Sequence, residues 1–88
     1  MHEFSIMNNL MNQIRELANH EGGGRIVGVK VRFGALSGMS PEHFREHFIA
    51  IADHSIGSGV VLHMESSQDI YDPNATAIVL DGIEIETN

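Results

Sequence analysis

At 88 residues the chain makes one domain, residues 1–88, and a domain of that size buries only about three-fifths of its unfolded surface, which disfavours a deep enclosed cofactor pocket. A formal charge of −7 with five Lys and Arg excludes the basic surface that nucleic acid demands. The absence of cysteine excludes disulfides, thiolate catalysis and sulfur-ligated zinc or iron-sulfur sites, so any metal must be held by nitrogen and oxygen.

The chain opens on Met1-His2-Glu3. A histidine beside a free α-amine offers the amine, the His2 amide nitrogen and the imidazole to one ion, a square-planar nitrogen set that suits Ni(II) or Cu(II) better than tetrahedral Zn(II). Glu3 adds an oxygen or a second amide. The tripeptide alone is open to a plainer reading as an ordinary terminal histidine. Ser5 is the expected cap of a helix whose apolar positions Met7, Leu10, Met11, Ile14, Leu17 and Ala18 recur at three and four residues, opposite Asn8, Asn12, Arg15 and Asn19. His20 and Gly22-Gly23-Gly24 mark its end. No Lys-Ser/Thr follows the glycines and a helix precedes them, so they do not read as a phosphate loop.

From Arg25 to Phe33 the period changes to two, with Val27, Val29, Val31 and Phe33 on one face and Gly28, Lys30 and Arg32 on the other. Ser40-Pro41-Glu42 then combines an N-cap, a proline at the first helical position and an early acid. Phe44, Phe48, Ile51 and Ala52 form the buried stripe of this second helix, and Gly57 and Gly59 lie beyond its end. Alternation resumes at Val60 to Glu65 and from Ala75 to Glu86, separated by the Asp72-Pro73-Asn74 turn signal. The apolar parity of the last run shifts across Asp81-Gly82, which reads as a bulge in one long strand or as a tight hairpin.

Helix, strand, helix, strand, strand predicts an α+β fold, with two helices packed on one face of a small mixed sheet of about three strands. The first two strands, joined through a helix, should be parallel, and the last two antiparallel. The outer sheet face should carry Lys30, Arg32, His63, Glu65, Glu84 and Glu86. No apolar run is long enough to span a bilayer, and the start lacks the basic-then-apolar pattern of a signal peptide, so a cytoplasmic protein without a membrane anchor is expected.

His43 and His47 stand four apart on the second helix and are close enough to share an ion, but no glutamate directly follows the first as in the metalloprotease helix; a solvated histidine face is the simpler reading and a weak accessory metal site the alternative. Carboxylates are scattered along helix faces and strand ends, and no serine sits in a nucleophile elbow, so an enzyme is not expected.

Three stretches together resemble the HypA/HybF family of hydrogenase nickel-incorporation proteins: the opening Met1-His2-Glu3, the Gly34-Ala35-Leu36-Ser37 loop with Pro41 and Phe44, and the ending Gly82-Ile83-Glu84-Ile85-Glu86. The resemblance implies a nickel metallochaperone that delivers Ni(II) for [NiFe] hydrogenase maturation, with a GTPase partner and the hydrogenase large subunit as its contacts. It makes His2 the nickel ligand, with the Met1 amine and Glu3 beside it. An aspartate that some members recruit at the start of the second helix is replaced here by Ser40. The family's zinc module, a pair of Cys-x-x-Cys motifs between the last two strands, has no counterpart in a chain without cysteine, so no structural zinc is expected. Aligning the ending with the family's final strand favours the bulge at Asp81-Gly82. The alternative function is a non-metal interaction module derived from the same fold, acting through its polar sheet face or as a homodimer.

Overall fold

The computed structural model describes residues 2–86, with side chains from Ser5 onward. The elements follow in the order α1 (His2–His20), β1 (Arg25–Phe33), α2 (Pro41–Ser55), β2 (Val61–Ser66) and β3 (Ile78–Glu86). One sheet with strand order β2-β1-β3 carries both helices against a single core, the α+β arrangement expected.

Helix α1 starts earlier than its expected Ser5 cap. A capping residue must leave helical dihedrals, and Ser5 lies inside the helix, which winds back to His2. Met7, Leu10, Met11, Ile14 and Ala18 bury its inner face. At the other end Gly22 and Gly23 adopt φ of 96° and 79°, and the Gly23 N–H donates to Ala18 O at 2.9 Å. That left-handed turn reverses the chain directly into β1.

Strand β1 lies at the centre. It pairs in parallel with β2, Val29 opposite Leu62 and Val31 opposite Met64, and antiparallel with β3, Val31 opposite Leu80 and Phe33 opposite Ile78. The last two strands run in opposite directions as expected, but β1 separates them, so they share no ladder. Two register shifts interrupt the β1–β3 ladder. Between Ile26 and Gly28 the extra residue is Val27; between Lys30 and Val31 it is Asp81 of β3. The second is the bulge expected at Asp81-Gly82. The first displaces the alternation at the start of β1, so Ile26 is buried in the core and Val27, expected there, is only half-buried.

Helix α2 begins as its sequence requires, with the Ser40 hydroxyl accepting from the His43 N–H at 3.4 Å and Pro41 in the first turn. Phe44 and Phe48 are fully buried. Phe44 meets Phe33 edge-on at 5.1 Å between ring centroids and lies over Phe48 at 5.9 Å. Leu17 is half-buried at the edge of the core rather than within it. Strand β3 begins at Ile78, three residues later than the alternation from Ala75 implies, because 67–77 is a stitched loop: Asp72 N–H donates to Asp69 O, Ala75 N–H to Asp72 O and Ala77 N–H to Asn74 O. No helix among the described residues is long and apolar enough to cross a membrane.

Candidate metal centre and the open sheet face

Of the nickel ligands expected from the sequence, Met1 lies outside the described residues, and His2 and Glu3 open α1 without described side chains. Their position in the fold follows from the topology. Helix α1 turns back into β1, β1 and β2 are parallel, and α2 connects them, so α1 and α2 point the same way. Arg15 of α1 donates to Ser55 at the end of α2, which places the C-terminal ends together and the two first turns at the opposite end of the domain. That end also holds Phe33 at the close of β1, packed on Phe44.

A helix that starts at His2 has consequences for metal binding. The first N–H groups of a helix have no intrahelical acceptor. The amides of His2 and Glu3 are therefore not committed to helical hydrogen bonds, and deprotonating them for coordination breaks none. The positive pole opposes a bare cation there by about 0.3–1 kcal/mol, which deprotonated amides and an acidic neighbour offset. Among the described residues, no group of three or more His, Cys, Asp or Glu is placed to hold an ion. A site elsewhere in the described domain would have two such ligands at most.

The outer face of the sheet carries the residues its alternation indicates, and their charges satisfy one another. Asp81, brought beside Lys30 and Arg32 by the bulge, accepts from Arg32 Nη2 at 2.9 Å and lies 3.7 Å from Lys30 Nζ. Lys30 also reaches Glu65 of β2 at 4.0 Å, and Arg25 reaches Glu86 at 3.8 Å. His63 on β2 and Glu84 on β3 meet at 3.4 Å across the central strand. They do so over Gly28: a Cβ there would lie 2.6 Å from Glu84 Oε1. The sequence showed both residues on this face but not the bridge, whose signal was Gly28 inside the strand, between Val27 and Val29. Lys30, His63, Gly82, Ile83 and Glu84 line a shallow depression of about 260 Å³.

The Arg32 hydrogen bond, with the Arg32 and Lys30 charges behind it, holds the Asp81 carboxyl below its ordinary value of 3.8, and the same contact raises Arg32. Because the folded value is the lower one, the stabilisation is complete above the ordinary aspartate range and is lost as pH falls through the folded value. Asp81→Asn should therefore flatten the acid limb of stability against pH, while leaving stability near neutrality changed only slightly, as befits a solvent-screened pair. Urea midpoints of the two proteins across the acid range would check this, and parallel acid limbs would contradict it.

The shifted groups thus form an ion pair at the bulge, and α1 and α2 both begin at the end of the domain away from the Arg15–Ser55 contact. This is a small two-layer α+β domain. The family described as "Hydrogenase/urease nickel incorporation, metallochaperone, hypA" matches residues 1–72, and the chain belongs to it. The hydrogenase maturation factor HypA of Chlorobium limicola is 37% identical over 65 residues, covering 74% of this chain and 56% of that protein. The one from Chlorobaculum tepidum is 32% identical over 68 residues, covering 77% and 60%. The chain thus spans about three-fifths of the length of the curated relatives it matches. The solution structure of the Ni metallochaperone HypA from Helicobacter pylori superposes with a TM-score of 0.78 over 98% of each chain at 16% identity, which shows the shared fold. The family match ends at Asp72, inside the loop that joins β2 to β3.

Proposed function

We propose that this domain carries Ni(II) as cargo, bound by the Met1 amine, the His2 amide and imidazole, and Glu3, and hands it on for hydrogenase maturation with a GTPase partner and the hydrogenase large subunit as its contacts. The observation that carries this reading is the family match, which includes the Met-His-Glu start and runs through β2. The helix beginning at His2 supports it, since the amides needed as ligands lie in its unpaired first turn. The alternative of a non-metal module working through the sheet face draws less support, because the Lys30 and Arg32 charges there face Asp81 and Glu65, and His63 faces Glu84, of the same sheet.

Nickel titration of untagged protein beside His2→Ala and an Nα-acetylated form tests the proposal. Losing a direct ligand costs more than the 10–100-fold typical of a residue that only orients one, so His2→Ala should weaken binding by roughly a hundredfold or more. Acetylation removes one nitrogen and one chelate ring without touching the fold, and should weaken it comparably. Binding must displace protons, so affinity falls with pH, and Cu(II) should outcompete Ni(II). Equal nickel binding by free and acetylated protein would remove the amine from the ligand set.

The same reading has the fold standing without metal. The 67–77 loop is closed by its own turns, with Tyr71 N–H donating to Asp69 Oδ1 at 2.9 Å and Asn74 N–H to Asp72 Oδ1 at 2.8 Å. EDTA should leave the melting temperature unchanged, and stoichiometric zinc or a collapse of the melt in chelator would contradict this.

A further inference from the structure

The geometry points to a second metal site on α2, a two-imidazole station made by His43 and His47 at the end of the domain where α1 begins. It rests on described residues, and its role beside the cargo site rests on the N-terminal reading proposed above. The two rings lie 4.4 Å apart between centroids, tilted by 45°. Two cis ligands about 2.1 Å from one ion need their nitrogens roughly 3 Å apart, which rings this close reach by small side-chain rotations. Burial of Phe44 and Phe48 pins the rotation of α2 and leaves both histidines on its exposed flank.

Further along α2, Ser55 ends the helix and accepts from Arg15 of α1. Ser55 is twelve residues beyond His43, and Arg15 is the same distance beyond Glu3. Because both helices rise about 1.5 Å per residue in the same direction, His43 is level with the first turn of α1. Glu42 and Glu46 neighbour the pair, and the chain's net charge of −7 favours a cation. The ion it takes is a divalent first-row metal of the class that imidazole suits, Ni(II) or Cu(II). Resting on two imidazoles, it binds more weakly than a chelate closed by amine and amide. The arrangement provides a collecting position beside the cargo site.

The test is Ni(II) titration of the wild type, His2→Ala and the double variant His43→Gln/His47→Gln, followed by calorimetry and by NMR. Glutamine keeps the exposed helix intact, and circular dichroism confirms the fold of each variant. The wild type should take up a second, weaker equivalent that the double variant loses while keeping the tight one; His2→Ala should lose the tight one and keep the weaker. Nickel bound by two imidazoles and water is paramagnetic, whereas a square-planar amide chelate is diamagnetic, so the second equivalent should broaden resonances around residues 40–50 in the wild type and in His2→Ala, and not in the double variant. A double variant that retains both equivalents, or a wild type that shows no second equivalent and no broadening, overturns the site. Loss of the tight equivalent in the double variant overturns its independence and assigns the histidines to the N-terminal site. Failure of the N-terminal reading would show separately, as tight binding that survives His2→Ala.

Discussion

Phe44→Ala is expected to remove about 3–5 kcal/mol of stability. A domain of 88 residues has roughly 4–13 kcal/mol in total, so this one truncation takes the protein close to unfolding. Phe44 is fully buried, and its ring lies edge-on to Phe33 of β1 and over Phe48 one turn along its own helix. Each aromatic pair adds to the transfer free energy lost with the ring. The melting temperature should fall by roughly 15–30 °C, against a much smaller drop for Phe44→Leu, which keeps most of the volume. A change of about 1 kcal/mol or less in Phe44→Ala would mean that α2 is held by something other than its phenylalanines.

That helix illustrates what is legible in a single sequence. The Ser40-Pro41-Glu42 start and the Phe44, Phe48, Ala52 stripe are local chemistry, and they appear in the structure where the residues place them. The Asp81 bulge is equally local, because a parity shift from Ile78 and Leu80 to Ile83 and Ile85 has to be absorbed by one extra residue. The Val27 bulge was not visible: Ile26 and Val27 are both apolar, so the register could slip there without leaving a mark in the hydrophobic pattern. Nor was the separation of β2 from β3, since which edge of β1 the last strand takes is a tertiary choice. Ser5 misled because a serine that could cap a helix sat inside one whose first turn needed no cap from it. For the site, the chelating order of Met1-His2-Glu3 and the four-residue spacing of His43 and His47 are written in the sequence. That α1 and α2 begin at the same end of the domain is not, because it depends on the directions of two helices that only the sheet determines.

Gly34→Ala, in the loop between β1 and α2, is the other substitution expected to do large damage, and its cause is steric rather than conformational. A Cβ on Gly34 would sit 2.2 Å from Ala75 O and 2.4 Å from Asn74 O, both backbone atoms that cannot rotate away. The two loops are latched at that point: Gly34 N–H donates to Ala77 O at 2.8 Å and Leu36 N–H to Ala75 O at 2.7 Å. Making room for one methyl group must part these hydrogen bonds and lift the buried Ala75 out of its contact. Overpacking together with the lost hydrogen bonds should cost about 2–4 kcal/mol. Gly28→Ala is the natural control, since the atoms it meets belong to the Glu84 side chain, which can swing aside at the expense of its contact with His63. Thermal melts should therefore rank Gly34→Ala far below Gly28→Ala, and amide exchange in the Gly34 variant should accelerate at Gly34, Leu36 and Ala77 first. Equal melting temperatures for the two would show that the loops can separate freely, and the close packing of the Gly-Ala-Leu-Ser loop against the end of the β2–β3 connection would then contribute little to holding the sheet closed.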